Sequence, residues 1–141
     1  MYARDKNHPS ITMWSLGNES HGYLNQDYCY DELKKLSTLP IHYEGVCRTP
    51  RFAYDVISHM YAWPIMCEKI AKGKLPKYRK KPFFLCEYAH AMGVGAGELE
   101  RYVKCFYSSE NMLGGCIWEF ADHAVYHENE KVKYTYGGDH G

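Results

Sequence analysis

The sequence predicts an α/β fold that is built on a parallel sheet. Short runs rich in β-branched and aromatic residues alternate along the chain with amphipathic runs at helical spacing. Strands that are separated by helices pair in parallel, through right-handed crossovers. At 141 residues, the chain has about the length of one domain. It contains neither internal repeats nor low-complexity segments.

The first two predicted strands lie on either side of the first predicted helix. Residues 10–18, SITMWSLGN, read as a buried strand. A helix is predicted over 25–37, with Asn25 as its N-cap, and Pro40 closes this helical region. Residues 41–46, IHYEGV, then form the second strand.

The middle of the chain repeats this order. Residues 56–62, VISHMYA, predict a third strand, and Pro64 opens a helix that Gly73 ends. The basic run at 72–81 is interpreted as a solvated connection rather than as a phosphate or nucleic-acid site. Residues 82–88, PFFLCEY, are the fourth strand.

The last predicted helix and strand follow a glycine-rich turn at 93–97. This turn lacks the strand-turn-helix placement and the downstream acid of a dinucleotide site. The helix lies within 95–110, and the fifth strand is GGCIWEFAD, residues 114–122. Three apolar residues share one face of that helix: Leu99, Val103 and Phe106.

Composition argues against several classes of function. Seventeen Lys and Arg balance 17 Asp and Glu, so the chain has no electrostatic footprint for nucleic acid or for an anionic membrane. No apolar run has the length of a membrane span or of a signal-peptide core. The six cysteines show none of the close spacings of zinc sites, and they are interpreted as reduced thiols. We therefore expect a cytoplasmic protein with no nucleic-acid or membrane partner.

Two carboxylates follow predicted strands. Glu19 comes after a buried segment, and Glu87 lies near the end of the fourth strand. In a parallel β/α barrel the carboxyl ends of the strands face one shared mouth, where the two side chains would meet. Strict alternation would put Glu87 on the same strand face as Phe83 and Leu85. Glu44, in HYEGV, also ends a predicted strand and is a candidate for supporting such a site.

Two carboxylates at one mouth are typical of a glycosidase. A separation of about 5 to 5.5 Å would give retention of configuration through a covalent intermediate, and about 6.5 to 9.5 Å would give inversion. The alternative is that each glutamate is an ordinary strand-end residue in a surface salt bridge. The residue pattern alone leaves both interpretations open.

The residues around the two glutamates resemble a known family. RDKNHPSITMWSLGNES and FFLCEYAHAMG are similar to the two active-site segments of the β-galactosidases of glycoside hydrolase family 2. GGCIWEFADHAV and YGGD resemble the stretches that follow in that family. Related β-glucuronidases and β-mannosidases share the Asn-Glu pair, whereas CEYAHAMG points to the galactosidase branch.

The resemblance implies a role for individual residues. Glu19 matches the general acid/base, which also binds metal in this family, and Glu87 matches the nucleophile. Tyr61 matches a tyrosine that donates a hydrogen bond to the nucleophile. Four residues match substrate-binding positions: Asn18, Tyr61, His90 and Trp118. The weaker candidates Asp122 and Asp139 are interpreted as structural.

The resemblance also implies a fold, a metal and partners. It predicts a partial (β/α)8 TIM barrel with about five βα units, corresponding to strands four to eight of the family barrel. Residues 1–141 would then be a fragment of a catalytic barrel domain. A glutamate and a histidine on the earlier strands would join Glu19 in holding Mg²⁺. The expected partner is a β-galactoside substrate, and the parent enzyme is expected to be a homo-oligomer.

Two hypotheses for function follow. In the first, the chain represents a retaining β-galactosidase that hydrolyses terminal β-D-galactosides such as lactose through a glycosyl-enzyme intermediate. In the second, it is a non-catalytic fragment, or a complementing piece that needs the missing strands from another chain. Open strand edges at the missing seam would make such a fragment marginally folded.

Overall fold

A computed structural model gives the architecture of residues 1–21, 23–91, 97–121, 123–136 and 139. The α-helices are α1 (Tyr2–Asp5), α2 (Tyr23–Leu36), α3 (Pro64–Ala71) and α4 (Leu99–Phe106). The strands are β1 (Trp14–Ser15), β2 (Ile41–His42), β3 (Ile57–Met60), β4 (Phe83–Tyr88), β5 (Met112–Ile117), β6 (Val125–Tyr126) and β7 (Tyr134–Thr135). Two 3₁₀ helices span Glu44–Arg48 and Pro76–Arg79.

The first five strands pair in parallel. β1 pairs with β2, and β3, β4 and β5 form a three-stranded sheet with β4 in the centre. β6 and β7 form an antiparallel hairpin. The alternation of strands and helices confirms the predicted α/β fold with parallel pairing. Within the described residues the strands form separate sheets and do not close into a barrel.

The main core lies between the three-stranded sheet and the helices α3 and α4. Phe83 and Leu85 project from one face of β4 and are fully buried. Tyr88 continues this packing, since its ring centroid lies 4.9 Å from that of Tyr102 in α4. The Tyr102 hydroxyl donates to the carbonyl of Ala62 at 3.0 Å, which satisfies its polar end inside the core. The core therefore anchors the sheet whose strand ends carry Glu87.

The helix predictions were right for α3 and partly wrong for the other two. α3 begins at Pro64, and Gly73 beyond its end has the positive φ of 61° that suits glycine. Asn25 lies inside α2 rather than at its N-cap, because α2 begins at Tyr23, whose ring packs 6.3 Å from that of Tyr43. This ring contact links the first turn of α2 to a distant part of the chain.

The buried face of α4 also differs from the prediction. Leu99 and Val103 are more than two-fifths exposed, whereas Tyr102 and Cys105 are buried. Tyr102 faces the core because its ring packs against Tyr88 of β4. Of the predicted face, Phe106 packs against the core.

The second and fifth strands are displaced from the predicted ranges. The second has only two residues, Ile41 and His42, because the chain turns into a 3₁₀ helix at Glu44. The fifth ends at Ile117, five residues before the predicted end. The predicted turn residues 93–96 and Asp122 lie outside the described residues. No helix in the described part of the chain is long and apolar enough to cross a membrane.

Candidate functional site

Residues beyond three of the parallel strands adopt the left-handed backbone region. Glu19 beyond β1 has φ 47°, Tyr61 after β3 has φ 52°, and Ala89 after β4 has φ 58°. Such a conformation in a non-glycine residue costs about 1–3 kcal/mol and persists only where its surroundings enforce it. Backbone strain of this kind clusters at functional sites. The predicted acid/base and the predicted tyrosine partner are two of these three residues.

Tyr61 and Glu87 are bonded to each other twice. The Tyr61 hydroxyl donates to Glu87 Oε2 at 2.8 Å. The Tyr61 backbone N–H donates to the Glu87 carbonyl, also at 2.8 Å. Both the strand end and the carboxylate are therefore fixed relative to β3. The hydrogen bond that the resemblance implies for these two residues is present, whereas their roles in a reaction stay predictions.

The orientation of Glu87 depends on an extra residue in β4. Leu85 pairs with His59 of β3, but Glu87, two residues on, pairs with the very next residue, Met60. Such a bulge interrupts the alternation of side chains along a strand. Tyr88, rather than Glu87, therefore joins the core face of Leu85. The expectation that Glu87 shares the face of Phe83 and Leu85 was wrong.

The charge state of Tyr61 favours its role as a donor. Burial raises the pKa of Tyr61, and the hydrogen bond to Glu87 raises it further. The negative charges of Glu87 and Glu19 act in the same direction, and Glu87 has the larger effect. The phenol thus stays protonated near neutral pH and donates to the carboxylate. Both predicted catalytic carboxylates act electrostatically on this one tyrosine.

Glu19 is held through its backbone. It lies in an exposed loop beside Asn18, and Gly17 permits the turn with a φ of 132°. The Glu19 backbone N–H donates to Glu44 Oε1 at 2.9 Å. The next residue is held as well, because the Tyr43 hydroxyl donates to the Ser20 carbonyl at 2.5 Å. The 3₁₀ segment and the residue before it therefore support this loop.

Glu44 is a buried carboxylate beneath this loop. Its side chain is 3% exposed. Oε2 has no hydrogen-bond partner among the described residues, and Arg48 Nη2 approaches it at 3.8 Å. The sequence suggested Glu44 as a supporting residue on the signal of a predicted strand end, although it lies in a 3₁₀ helix.

His90 and Trp118 contact neighbours of the nucleophile candidate, namely Tyr61 and Tyr88. The His90 ring centroid is 6.3 Å from that of Tyr61, in an edge-to-face arrangement, and the residue is exposed. The Trp118 backbone N–H donates to the Tyr88 carbonyl at 2.9 Å, and this tryptophan is 39% exposed. The structure thus brings Tyr61, Glu87 and His90 together. Within the described ranges, Asn18 makes no hydrogen bond to Glu87.

A buried histidine, His42 in β2, was not among the residues that the sequence singled out. His42 Nδ1 is 3.0 Å from the hydroxyl of Ser58, which is fully buried, and the edge of Phe84 packs on the imidazole. Burial lowers the pKa of His42 to about 4, so the ring is neutral at pH 7. The sequence feature that could have indicated this burial is the position of His42 next to Ile41 in a predicted strand.

The described residues do not by themselves suit a magnesium site. Among them, no three His, Cys, Asp or Glu side chains lie together as metal ligands would. Mg²⁺ also needs several oxygen ligands in near-octahedral order. A metal at Glu19 stays a prediction from the resemblance.

Comparisons with known proteins bear on this constellation. The model of the glycosyl hydrolases family 2 TIM barrel domain matches residues 1–141. This chain belongs to glycosyl hydrolases family 2. A β-galactosidase of Priestia megaterium is 43% identical over 145 residues, covering 100% of this chain and 14% of the relative. A β-galactosidase of Kluyveromyces lactis is 40% identical over 146 residues, covering 96% of this chain and 14% of the relative.

A third relative is also a β-galactosidase of similar identity and coverage. It is β-galactosidase 2 of Enterobacter cloacae, which is 39% identical over 152 residues, covering 100% of this chain and 15% of the relative. The chain therefore spans about one-seventh of the length of these family 2 relatives. The family resemblance found in the active-site segments is confirmed.

Proposed function

We propose that these residues belong to a retaining β-galactosidase that hydrolyses terminal non-reducing β-D-galactosides such as lactose. The observation that carries this proposal is the Tyr61–Glu87 hydrogen bond. Family membership and the names of the relatives support the substrate class. The two carboxylates then divide the work between a nucleophile and an acid/base.

Glu87 is the proposed nucleophile. Its ionised carboxylate attacks the anomeric carbon, and the bond from that carbon to the leaving oxygen breaks. The Tyr61 hydroxyl donates to Oε2 and so fixes the direction of the carboxylate. The product of this step is a galactosyl ester on Glu87.

Glu19 is the proposed general acid and then general base. In the first step its carboxyl proton passes to the leaving oxygen. In the second, Glu19 takes a proton from water as the water oxygen attacks the anomeric carbon, and the Glu87 ester bond breaks. Two displacements at one carbon retain its configuration. Glu19 is exposed, which suits a group that exchanges protons with substrate and water.

The remaining site residues are proposed to bind the sugar. Trp118 offers an aromatic face, and aromatic rings pack well on the apolar faces of sugars. His90 is exposed beside Tyr61 and has ring nitrogens that suit contact with galactosyl hydroxyls. Asn18, next to the acid, is proposed to contact the 2-hydroxyl.

The same reasoning extends to architecture and assembly. We propose that residues 1–141 are part of a catalytic barrel domain and supply strands four to eight of a (β/α)8 barrel. The order of five parallel strands with intervening helices supports this. A homo-oligomeric parent enzyme, a cytoplasmic location and Mg²⁺ at Glu19 remain predictions.

The decisive test measures hydrolysis of a chromogenic β-galactoside by the natural protein that carries these residues, with Glu87→Gln as control. NMR of the first-formed galactose identifies the anomer. Release of β-galactose by the wild type, lost in Glu87→Gln, supports the proposal. α-Galactose as the first product would refute retention, and no hydrolysis would refute the activity.

The alternative of a complementing fragment requires a separate measurement. The 141-residue chain is assayed alone and after mixing with a fragment that carries three preceding barrel strands. Activity only in the mixture supports the complementing piece. Activity of the chain alone contradicts it.

A further inference from the structure

A buried glutamate accepts a hydrogen bond from the backbone of the proposed acid/base. Glu44 Oε1 lies 2.9 Å from the Glu19 backbone nitrogen, although the two residues are 25 positions apart in the chain. Glu19 has φ 47°, a conformation that a non-glycine residue keeps only when other contacts enforce it. The contact therefore lies at the point where the backbone needs support.

Burial of the Glu44 side chain carries a desolvation penalty. A carboxylate in the interior loses hydration and needs partners that replace it. Its side chain is 3% exposed, its nearest cation is Arg48 at 3.8 Å, and Oε2 lacks a hydrogen-bond partner in the described part of the chain. These contacts are few for a structural ion pair. The strong contact that Glu44 does make is the one to Glu19.

We propose that Glu44 is a positioning residue that sets the place of the Glu19 carboxyl group by holding the Glu19 backbone N–H. This inference rests on the proposed function. The Glu44–Arg48 3₁₀ helix is a suitable base, since the neighbouring Tyr43 and Val46 are buried together. Tyr43, the residue before Glu44, donates to the Ser20 carbonyl, so the loop is fixed at two successive residues.

The effect on chemistry is selective. A misplacement of about 1 Å at a reacting group can cost roughly 100-fold in rate. A displaced Glu19 would impair the steps in which it moves a proton. Nucleophilic attack by Glu87 on a substrate whose leaving group needs no protonation would continue. A general loss of structure would impair both kinds of substrate equally.

Two conservative variants of Glu44 distinguish an effect of its side-chain length from an effect of its negative charge. Glu44→Gln keeps the side-chain length and an oxygen acceptor but removes the charge. Glu44→Asp keeps the charge but draws the oxygens back by about 1.5 Å, the length of one carbon–carbon bond. Positioning through the hydrogen bond predicts that the aspartate variant is impaired and that the glutamine variant is not. A role for charge alone predicts the reverse.

The experiment uses the natural protein and two substrates. Lactose has a leaving alcohol that needs a proton, whereas 2,4-dinitrophenyl β-galactoside has a leaving group that does not. For Glu44→Asp, we expect kcat/KM on lactose to fall roughly 10- to 100-fold. On the dinitrophenyl substrate, kcat/KM should change less than about threefold, while kcat and KM fall together because hydrolysis of the galactosyl ester is slowed.

Added azide provides an independent readout. Azide attacks the anomeric carbon and displaces the Glu87 carboxylate without needing a base, so it should restore kcat for Glu44→Asp on the dinitrophenyl substrate. Glu44→Gln should stay within about threefold of wild type on both substrates. Equal losses on both substrates, no loss in Glu44→Asp, or equal defects in the two variants would overturn the inference.

One further measurement and one further variant keep the inference testable on its own. Hydrogen exchange at the Glu19 amide should be about tenfold faster in Glu44→Asp than in wild type and in Glu44→Gln. If the wild type hydrolyses neither galactoside, the proposed function fails, and this exchange rate alone decides whether Glu44 holds the loop. If Glu44→Asp does not fold, Glu44→Ala, which removes the buried charge, should show the same selective loss and the same faster exchange.

Discussion

The two catalytic candidates are held in different ways. Glu87 lies in β4, a six-residue strand that is paired on both sides, and its carboxylate accepts a hydrogen bond from Tyr61. Glu19 lies beyond β1, a two-residue strand that pairs with β2 in the part of the chain that the structure describes, and the contact that holds Glu19 is to its backbone N–H. One support acts on the carboxylate and the other acts on the chain.

The difference corresponds to the two proposed roles. A nucleophile must be ionised and aimed before the substrate arrives, so a direct hydrogen bond to its carboxylate is useful. An acid/base must release and regain a proton, so its oxygens need to stay available to substrate and water. Support through the backbone positions such a group without occupying its oxygens.

Glu87→Gln removes the directly held carboxylate and should have the largest effect. A neutral amide does not form the glycosyl ester, so kcat should fall roughly 10⁴-fold or more. The loss should be similar for lactose and for 2,4-dinitrophenyl β-galactoside, measured by steady-state kinetics on the natural protein. A loss confined to lactose would assign Glu87 the acid role and would reverse the comparison.

Glu19→Gln should lower the rate in a way that depends on the leaving group. Loss of general acid catalysis predicts a fall of about 10²- to 10⁴-fold in kcat/KM on lactose. On the dinitrophenyl galactoside, kcat/KM should be nearly preserved and azide should raise kcat, because neither requires the proton of Glu19. An equal fall on both substrates would contradict the acid/base role.

Tyr61→Phe removes the hydrogen bond to Glu87 Oε2. A hydrogen bond to a charged group contributes about 1.5–3 kcal/mol, so kcat should fall roughly 10- to 100-fold. Tyr107→Phe, at a 90% exposed tyrosine, is the matched control and should have no effect. The pKa of Tyr61 is raised, so the wild type should lose no activity through ionisation of this phenol up to about pH 10. An unchanged kcat in Tyr61→Phe would show that the directly held carboxylate does not need its donor.

His42→Asn should have the smallest effect at neutral pH and should alter stability in acid. The folded-state pKa of His42 is about 4, below the usual 6.5, so the unfolded chain binds the proton more tightly. Stability in the wild type should therefore fall as pH decreases from about 6.5 to 4, by up to about 3 kcal/mol. His42 in β2 bonds to Ser58 in β3, so protonation would loosen the link between the regions that carry Glu19 and Glu87.

The test is the pH dependence of the urea midpoint of the natural protein. Between pH 6.5 and pH 4, the midpoint should change less in His42→Asn than in wild type. Identical slopes in the two proteins would contradict a neutral, buried His42.

Local sequence signals predicted the parts of the fold that depend on local chemistry. Pro64 and Gly73 mark the ends of α3 because proline and glycine restrict or permit particular backbone angles wherever they occur. The alternation of strands and helices followed from periodicity in the same way. By contrast, the buried face of α4 depends on Tyr88 of a distant strand, so the helix pattern alone misassigned it.

In the candidate site, too, the residues indicated by local sequence were predicted, and those that depend on long-range contacts were not. Strand ends pointed to Glu19 and Glu87, and the resemblance named Tyr61 as the partner of Glu87. The support of Glu19 by Glu44 and the burial of His42 against Ser58 depend on contacts between separate strands and loops. Spacing within one segment carries no information about such contacts.

The extra residue in β4 has a consequence for engineering. Between Leu85 and Tyr88, β4 contains one residue more than the segments of β3 and β5 that pair with it. In a graft of this strand onto another scaffold, its length would matter more than the identity of Cys86. Deleting one residue there would remove the bulge, and with it the side-chain directions that aim the Glu87 carboxylate at the Tyr61 hydroxyl. Libraries that vary composition but conserve length are therefore the safer way to redesign this site.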